Sequence, residues 1–188
     1  VTNLMSKFNP ESSYVHLGYE AVTLSAETAK ILGNKTDGKD VQMSGRKGLY
    51  INADGIIAKL EKHIFLESKE RNDDLDDASL NEIAHNVAIG TIRYELIKPD
   101  LGKIITFDIN TSLKLEGDTC SYIQYSCVRA ARILEKFGKE PNFDTQFDQL
   151  NTEYEINLIK QIGLFEVFVN DAAKNYSPKV IAKYCYDL

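Results

Sequence analysis

The sequence predicts a mainly α fold: a helical bundle in its second half, preceded by the tail end of an α/β domain. From residue 79 onward apolar residues recur at three- and four-residue steps, which places them on one helical face. Before residue 60 the apolar stretches are short and punctuated by glycine and polar turns. Between these regions a β-branched, alternating segment at 103–109 reads as extended chain or an isolated strand.

Taken in order, Val15 to Leu24 reads as a strand running into a turn, residues 34–40 (NKTDGKD) as a polar turn or hairpin tip, and 49–52 as a second extended piece. Ser79 followed by Glu82 has the form of a capping box, and Leu80, Ile83, Ala84, Val87, Ala88 and Ile92 then line a helix that Pro99 stops. After Gly117 a second helix carries Ile123, Cys127, Ala130, Leu134 and Phe137 on one seam, with Gly138 as its stop. A third runs from about Thr152, with Leu158, Ile162, Phe165, Val169 and Ala172 on one face. Ser177-Pro178 starts a fourth, because serine caps well and proline is tolerated in a first turn. These seams place the stable core beyond about residue 70, Leu134 included, and leave residues 1 to about 60 as the less stable part.

With 188 residues and 43% apolar content, the chain can bury a sizeable core in one compact domain or two small ones. No apolar run approaches the roughly 20 residues that span a bilayer, and the opening VTNLMSKF lacks a signal-peptide core. A soluble, cytoplasmic protein is expected. Its three cysteines, Cys120, Cys127 and Cys185, lack CxxC spacing and fit reduced thiols better than disulfides or zinc ligands. A formal charge of -6 excludes coating nucleic acid by bulk attraction, so any polyanion must meet a local patch. The acidic run at 72–77 reads as solvated charge at a helix start, and no bound metal is predicted. Because the chain opens on Val1 and stops inside a periodic apolar segment, it reads as a piece excised from a longer protein.

Two stretches carry candidate chemistry. In VQMSGRKG, residues 41–48, glycines flank Arg46 and Lys47, so the loop can bring two cations onto phosphate oxygens; it is not a Walker A loop, and spacing alone favours an ordinary basic surface turn. On the second helix Tyr122, Tyr125, Arg129 and Arg132 advance by three, four and three residues and share a stripe opposite the apolar seam. Tyrosine rings stack on unpaired bases while arginine meets phosphate or a base edge; the same stripe equally fits packing against a neighbouring helix.

Met43 to Gly48 (MSGRKG) resembles the KMSKS loop of class I aminoacyl-tRNA synthetases, in the form found in arginyl-tRNA synthetases. His16 to Glu20 (HLGYE) is similar to the family's H-x-x-[FY] segment, and Glu82 to Tyr94 resembles its VAIGAIRY helix. Phe107-Asp108 leading to Leu115–Ala130 resembles its FEGNTGPYLQYAHAR stretch, and Val180–Leu188 its LARYLYDLA helix in the DALR anticodon-binding domain. These five segments occur in family order, and MSGRKG with LEGDT leans toward the archaeal-type branch.

The resemblance implies a fragment of an arginine-tRNA ligase, with residues 1–68 as the tail of the nucleotide-binding catalytic domain, 69–116 as a helical connection, and 117–188 as the anticodon-binding domain. It makes the loop's anion the triphosphate of ATP, with Mg2+ as counter-ion. Ser44, Arg46 and Lys47 then carry the catalytic role, Met43 anchors the loop, and His16 either neighbours the adenosine or is a structural histidine at a strand end. Gln42 stands where the signature has its first lysine. The implied RNA contacts are Tyr122, Gln124, Tyr125, Arg129 and Arg132, Gln124 serving as a base-edge donor and acceptor. The implied partners are tRNA-Arg, ATP and arginine for a monomeric enzyme, with no DNA. No H-x-G-H occurs, so the fragment alone is expected to be inactive. A helical protein-interaction module and a nucleotide binder unrelated to synthetases remain the readings from other classes.

Overall fold

The computed structural model describes residues 7–33, 35–42, 52–72, 74–140, 142 and 148–188. A small sheet is formed by β1 (Val22–Leu24), β2 (Val41–Gln42) and β3 (Ile105–Phe107), in the order β2-β1-β3. Strand β1 pairs antiparallel with β2, Leu24 opposite Val41, and parallel with β3, Leu24 opposite Phe107. Within the segment at 103–109, residues 105–107 therefore form an edge strand that is paired and not isolated, and Ile109 already belongs to the next helix. Of the stretch from Val15, only Val22–Leu24 is strand; residues 13–21 are irregular. The extended piece expected at 49–52 falls almost wholly outside the described residues.

Among the described residues, three helices lie between β1 and β3. Helix α1 (Ala26–Ile31) starts where the Ser25 hydroxyl accepts the Thr28 amide. Helix α2 (Ala53–Arg71) is capped by Asn52, whose side chain accepts the Asp54 amide at 3.2 Å. Helix α3 (Asp77–Ile97) is capped three residues before the expected position: Asp76 accepts the Ser79 amide at 2.7 Å, because a carboxylate serves that position as well as a hydroxyl does.

The α2 helix was not anticipated, although Ile56, Leu60 and Ile64 recur at four-residue steps and Leu60 and Ile64 are buried. The main core joins Leu24, Leu60, Ala84, Ala88, Phe107 and Ile109, so sheet, α2 and α3 pack as one unit. Leu24, Ala29, Leu32 and Leu60 thus share the main core with α3 and β3, a part in burial that the expectation of a weaker region at residues 1 to about 60 left out.

After the one-turn helix α4 (Ile109–Ser112), α5 (Cys120–Phe137) runs to Gly138, whose φ of 63° closes it in the left-handed region. The predicted seam of α5 is not buried: Leu134 is 63% exposed and Phe137 60% exposed, because no described element covers the distal half of the helix. The predicted third helix is two, α6 (Glu153–Gly163) and α7 (Phe165–Lys174). They part at Leu164, which follows a glycine, takes φ -85° and ψ -2°, and shares its amide between the Lys160 and Gln161 carbonyls. Thr152 and Glu155 form a full capping box at the start of α6. Helix α8 (Pro178–Asp187) begins at Ser177-Pro178 as expected, though the serine hydroxyl makes no cap bond. Tyr184 of α8 packs its ring against Phe165 and Phe168 and donates to the Gln161 carbonyl at 3.1 Å.

Candidate nucleic-acid interface

The start of α5 is built by a tight turn. Gly117 takes φ 82°, the Thr119 hydroxyl donates to the Lys114 carbonyl at 2.6 Å, and the same oxygen accepts the Tyr122 amide at 3.2 Å. One face of the helix then presents the stripe. The Tyr122 ring packs on Tyr186 of α8, with centroids 5.7 Å apart. Tyr125 is 46% exposed, and the Arg129 guanidinium lies 5.7 Å from its ring centroid in a cation–π arrangement. Arg132 pairs with Glu135 at 2.7 Å, an exposed bridge that holds the guanidinium only weakly.

Gln124 lies elsewhere. Its amide sits against α3, where a Cβ on Gly90 would fall 2.9 Å from Gln124 Nε2 and 2.9 Å from Cys120 Sγ. Gly90 is therefore what lets α5 approach α3 this closely. Beside the stripe runs a cleft of about 520 Å3, lined by Ile64, Arg71, Val87, Leu115, Gln124 and Tyr125. An exposed ring with a stacked guanidinium, next to an open cleft with an amide on its wall, can take an unpaired base and a phosphate together.

Tyr125, Arg129 and Arg132 of the α5 stripe, and everything after them, fall in the range matched by the DALR anticodon binding domain, residues 123–188, and Tyr122 stands one residue before it. The arginine-tRNA ligase of Borrelia hermsii is 38% identical over 178 residues, 94% of this chain, and that of Methanothrix thermoacetophila is 36% identical over 149 residues, 79% of this chain. The chain belongs to the arginyl-tRNA synthetase family. It spans 28% of the Borrelia protein's length and 26% of the Methanothrix protein's. The Thermus thermophilus arginyl-tRNA synthetase structure superposes with a TM-score of 0.74 at 32% identity, over 92% of this chain and 26% of that one. The Plasmodium falciparum arginyl-tRNA synthetase shares the fold, with a TM-score of 0.70 at 20% identity over 99% of this chain and 29% of that one. Family membership sets aside the interaction-module and unrelated-nucleotide-binder readings. Relatives from Methanothrix and Borrelia match at similar identity, so the lean toward an archaeal-type branch is not carried through.

Of the residues an arginyl-tRNA synthetase would direct to ATP, Met43, Ser44, Arg46 and Lys47 lie outside the described residues. Gln42, immediately before them, ends β2 opposite Thr23. His16 is exposed on the irregular stretch before β1, not at a strand end. Among the described residues no group of three or more His, Cys, Asp or Glu side chains is arranged to hold a metal ion, and no helix is long and apolar enough to cross a membrane.

Residue-level reading missed the joint at the base of the stripe. Tyr94 of α3, 7% exposed, donates its hydroxyl to the Asp118 carboxylate, and its oxygen lies 3.5 Å from the Ala182 carbonyl oxygen of α8. Lys98 Nζ meets the Asp118 carbonyl at 2.8 Å and Glu95 at 2.9 Å. Burial, then the bond to Asp118, holds the Tyr94 phenol well above its ordinary range, so the hydroxyl remains a donor. Burial, with Glu95 nearby, likewise pushes the Cys120 thiol up to about 11, which leaves it an inert packing group. Tyr94 and Asp118 stand 24 positions apart, and only their separate places in two family-like segments hinted at either.

Proposed function

We propose that the chain is the part of an arginine-tRNA ligase that joins the ATP-phosphate loop to the anticodon-reading helices, in a full-length cytoplasmic enzyme that acts as a monomer on ATP, arginine and tRNA-Arg. The observation that carries this is the Tyr125–Arg129 pair on the exposed face of α5, at the start of the DALR-matched region. In this reading residues 1–68 belong to the catalytic domain, 69–116 connect, and 117–188 meet the anticodon. Tyr122 and Tyr125 stack on unpaired bases, and Arg129 and Arg132 meet phosphate or base edges. Gln124, turned toward α3, reads a base only where that base enters the cleft.

On the ATP side, Ser44, Arg46 and Lys47 hold triphosphate oxygens and stabilise the charge that develops as pyrophosphate leaves, with Met43 anchoring the loop and His16 beside the adenosine. Mg2+ arrives with ATP as its counter-ion. Attachment of arginine needs the rest of the enzyme, because misalignment of carboxylate and α-phosphate alone costs orders of magnitude. The isolated chain is inactive in this reading.

The test is charging by the full-length protein of a tRNA with an arginine anticodon against one with a substituted anticodon. Tyr125→Ala is expected to cost about 1–3 kcal/mol in tRNA binding, and Arg129→Ala to weaken binding with either a shallower salt dependence or a relaxed anticodon preference. Wild-type discrimination and wild-type Michaelis constants in both variants would make the stripe ordinary packing.

A further inference from the structure

Among the described residues, the stripe on α5 is fixed to other elements at few points. Its distal half is exposed, and its proximal half meets α3 at Gly90 and α8 at Tyr186. The polar junction at its base is the one formed by Tyr94, Asp118, Lys98 and the Ala182 carbonyl. Asp118 lies one residue before the Thr119 cap, so its position sets where the first turn of α5 begins and which way Tyr122 points. Tyr94 also touches α8 one turn before Tyr186, the ring on which Tyr122 rests. One hydroxyl thus meets α3, the entry of α5 and α8 at a single point, and α3 itself is built into the core with α2 and the sheet.

We propose that Tyr94 is a positioning residue for RNA recognition: its hydroxyl, held by the Asp118 carboxylate, fixes the direction of the α5 stripe relative to the core. This rests on the reading of the stripe as the anticodon contact. Rigid placement matters here because stacking and base-edge contacts tolerate little misalignment, whereas attraction to phosphate tolerates much. Loss of the hydroxyl should therefore erode discrimination more than affinity. It should not unfold the protein, since Asp118 is exposed and regains water when its donor is removed.

Tyr94→Phe, Asp118→Ala and Asp118→Asn in the full-length protein separate the possibilities, with Tyr125→Ala as reference. The readout is the dissociation constant for a transcript with a substituted anticodon divided by that for one with an arginine anticodon, alongside the melting temperature. Tyr94→Phe and Asp118→Ala are expected to lower that ratio by about 3- to 10-fold, within the range of coupling carried by residues that do not touch a ligand. Asp118→Asn retains an acceptor oxygen and is expected to keep most of it. An equal loss for both transcripts, or an effect confined to melting temperature, overturns the inference while Tyr125→Ala still loses discrimination. If the wild type shows no anticodon preference, or Tyr125→Ala leaves it intact, the reading of the stripe fails first and the role of Tyr94 falls with it.

Discussion

The sheet with α2 and α3, and the helices α5 to α8, solve burial in opposite ways. In the first region Leu24, Leu60 and Leu80 are fully buried although α2 and α3 are only weakly one-sided in their apolar pattern. In the second the helices are sharply amphipathic, yet α6 and α7 bury no residue and α5 buries only Ser121. A helix packed on several sides, as α3 is between α2 and α5, needs apolar or small residues around most of its circumference. Strong one-sidedness marks a face that something can cover; it does not show that anything does.

The largest effect that would break this comparison lies in the first region. Leu60→Ala removes a fully buried side chain from the cluster that joins sheet and helices, and is expected to cost about 2–5 kcal/mol in denaturant unfolding. A loss below about 0.5 kcal/mol would mean that the sheet and α2 contribute little to the cooperative unit. Next comes the junction between the regions. Gly90→Val puts a branched side chain where even a single Cβ would stand 2.9 Å from the Cys120 sulfur, and is expected to cost about 1–3 kcal/mol as overpacking. Urea unfolding checks it, and a neutral result would place α5 further from α3 than the structure has it.

What could be read from residues alone follows the same division. The helices after residue 117 were legible because their caps and stops are local: Thr119 and Gly138 bound α5, Thr152 and Glu155 open α6, and Ser177-Pro178 opens α8. The break at Leu164 was not, since a glycine inside an apolar period reads as helix until the chain's direction is known. Helix α2 was overlooked because its buried residues Leu60 and Ile64 are interleaved with charged residues and a weak stripe. The exposed placement of Tyr125 and Arg129 followed from helical phase. The Tyr94–Asp118 joint did not, because it depends on three elements meeting.

The smallest expected effect is the sharpest test of the second region. Leu134 belongs to an apolar seam whose periodicity alone assigns it to a core, and a buried leucine truncated to alanine loses transfer energy and leaves a cavity, together about 2–5 kcal/mol. At 63% exposure neither term applies in full: most of the side chain already meets water, and no enclosed cavity forms when a surface isopropyl group is removed. Leucine and alanine are also both good helix formers, so the backbone contributes little difference. Leu134→Ala in this chain is therefore expected to change unfolding free energy by less than about 0.5 kcal/mol. In the full-length enzyme the same substitution asks a different question, because any cost there above the cost in this chain measures what covers the seam. A cost of 2 kcal/mol or more in this chain alone would mean that α5 is buried in solution after all, and the contrast between the two regions would fail at its clearest point.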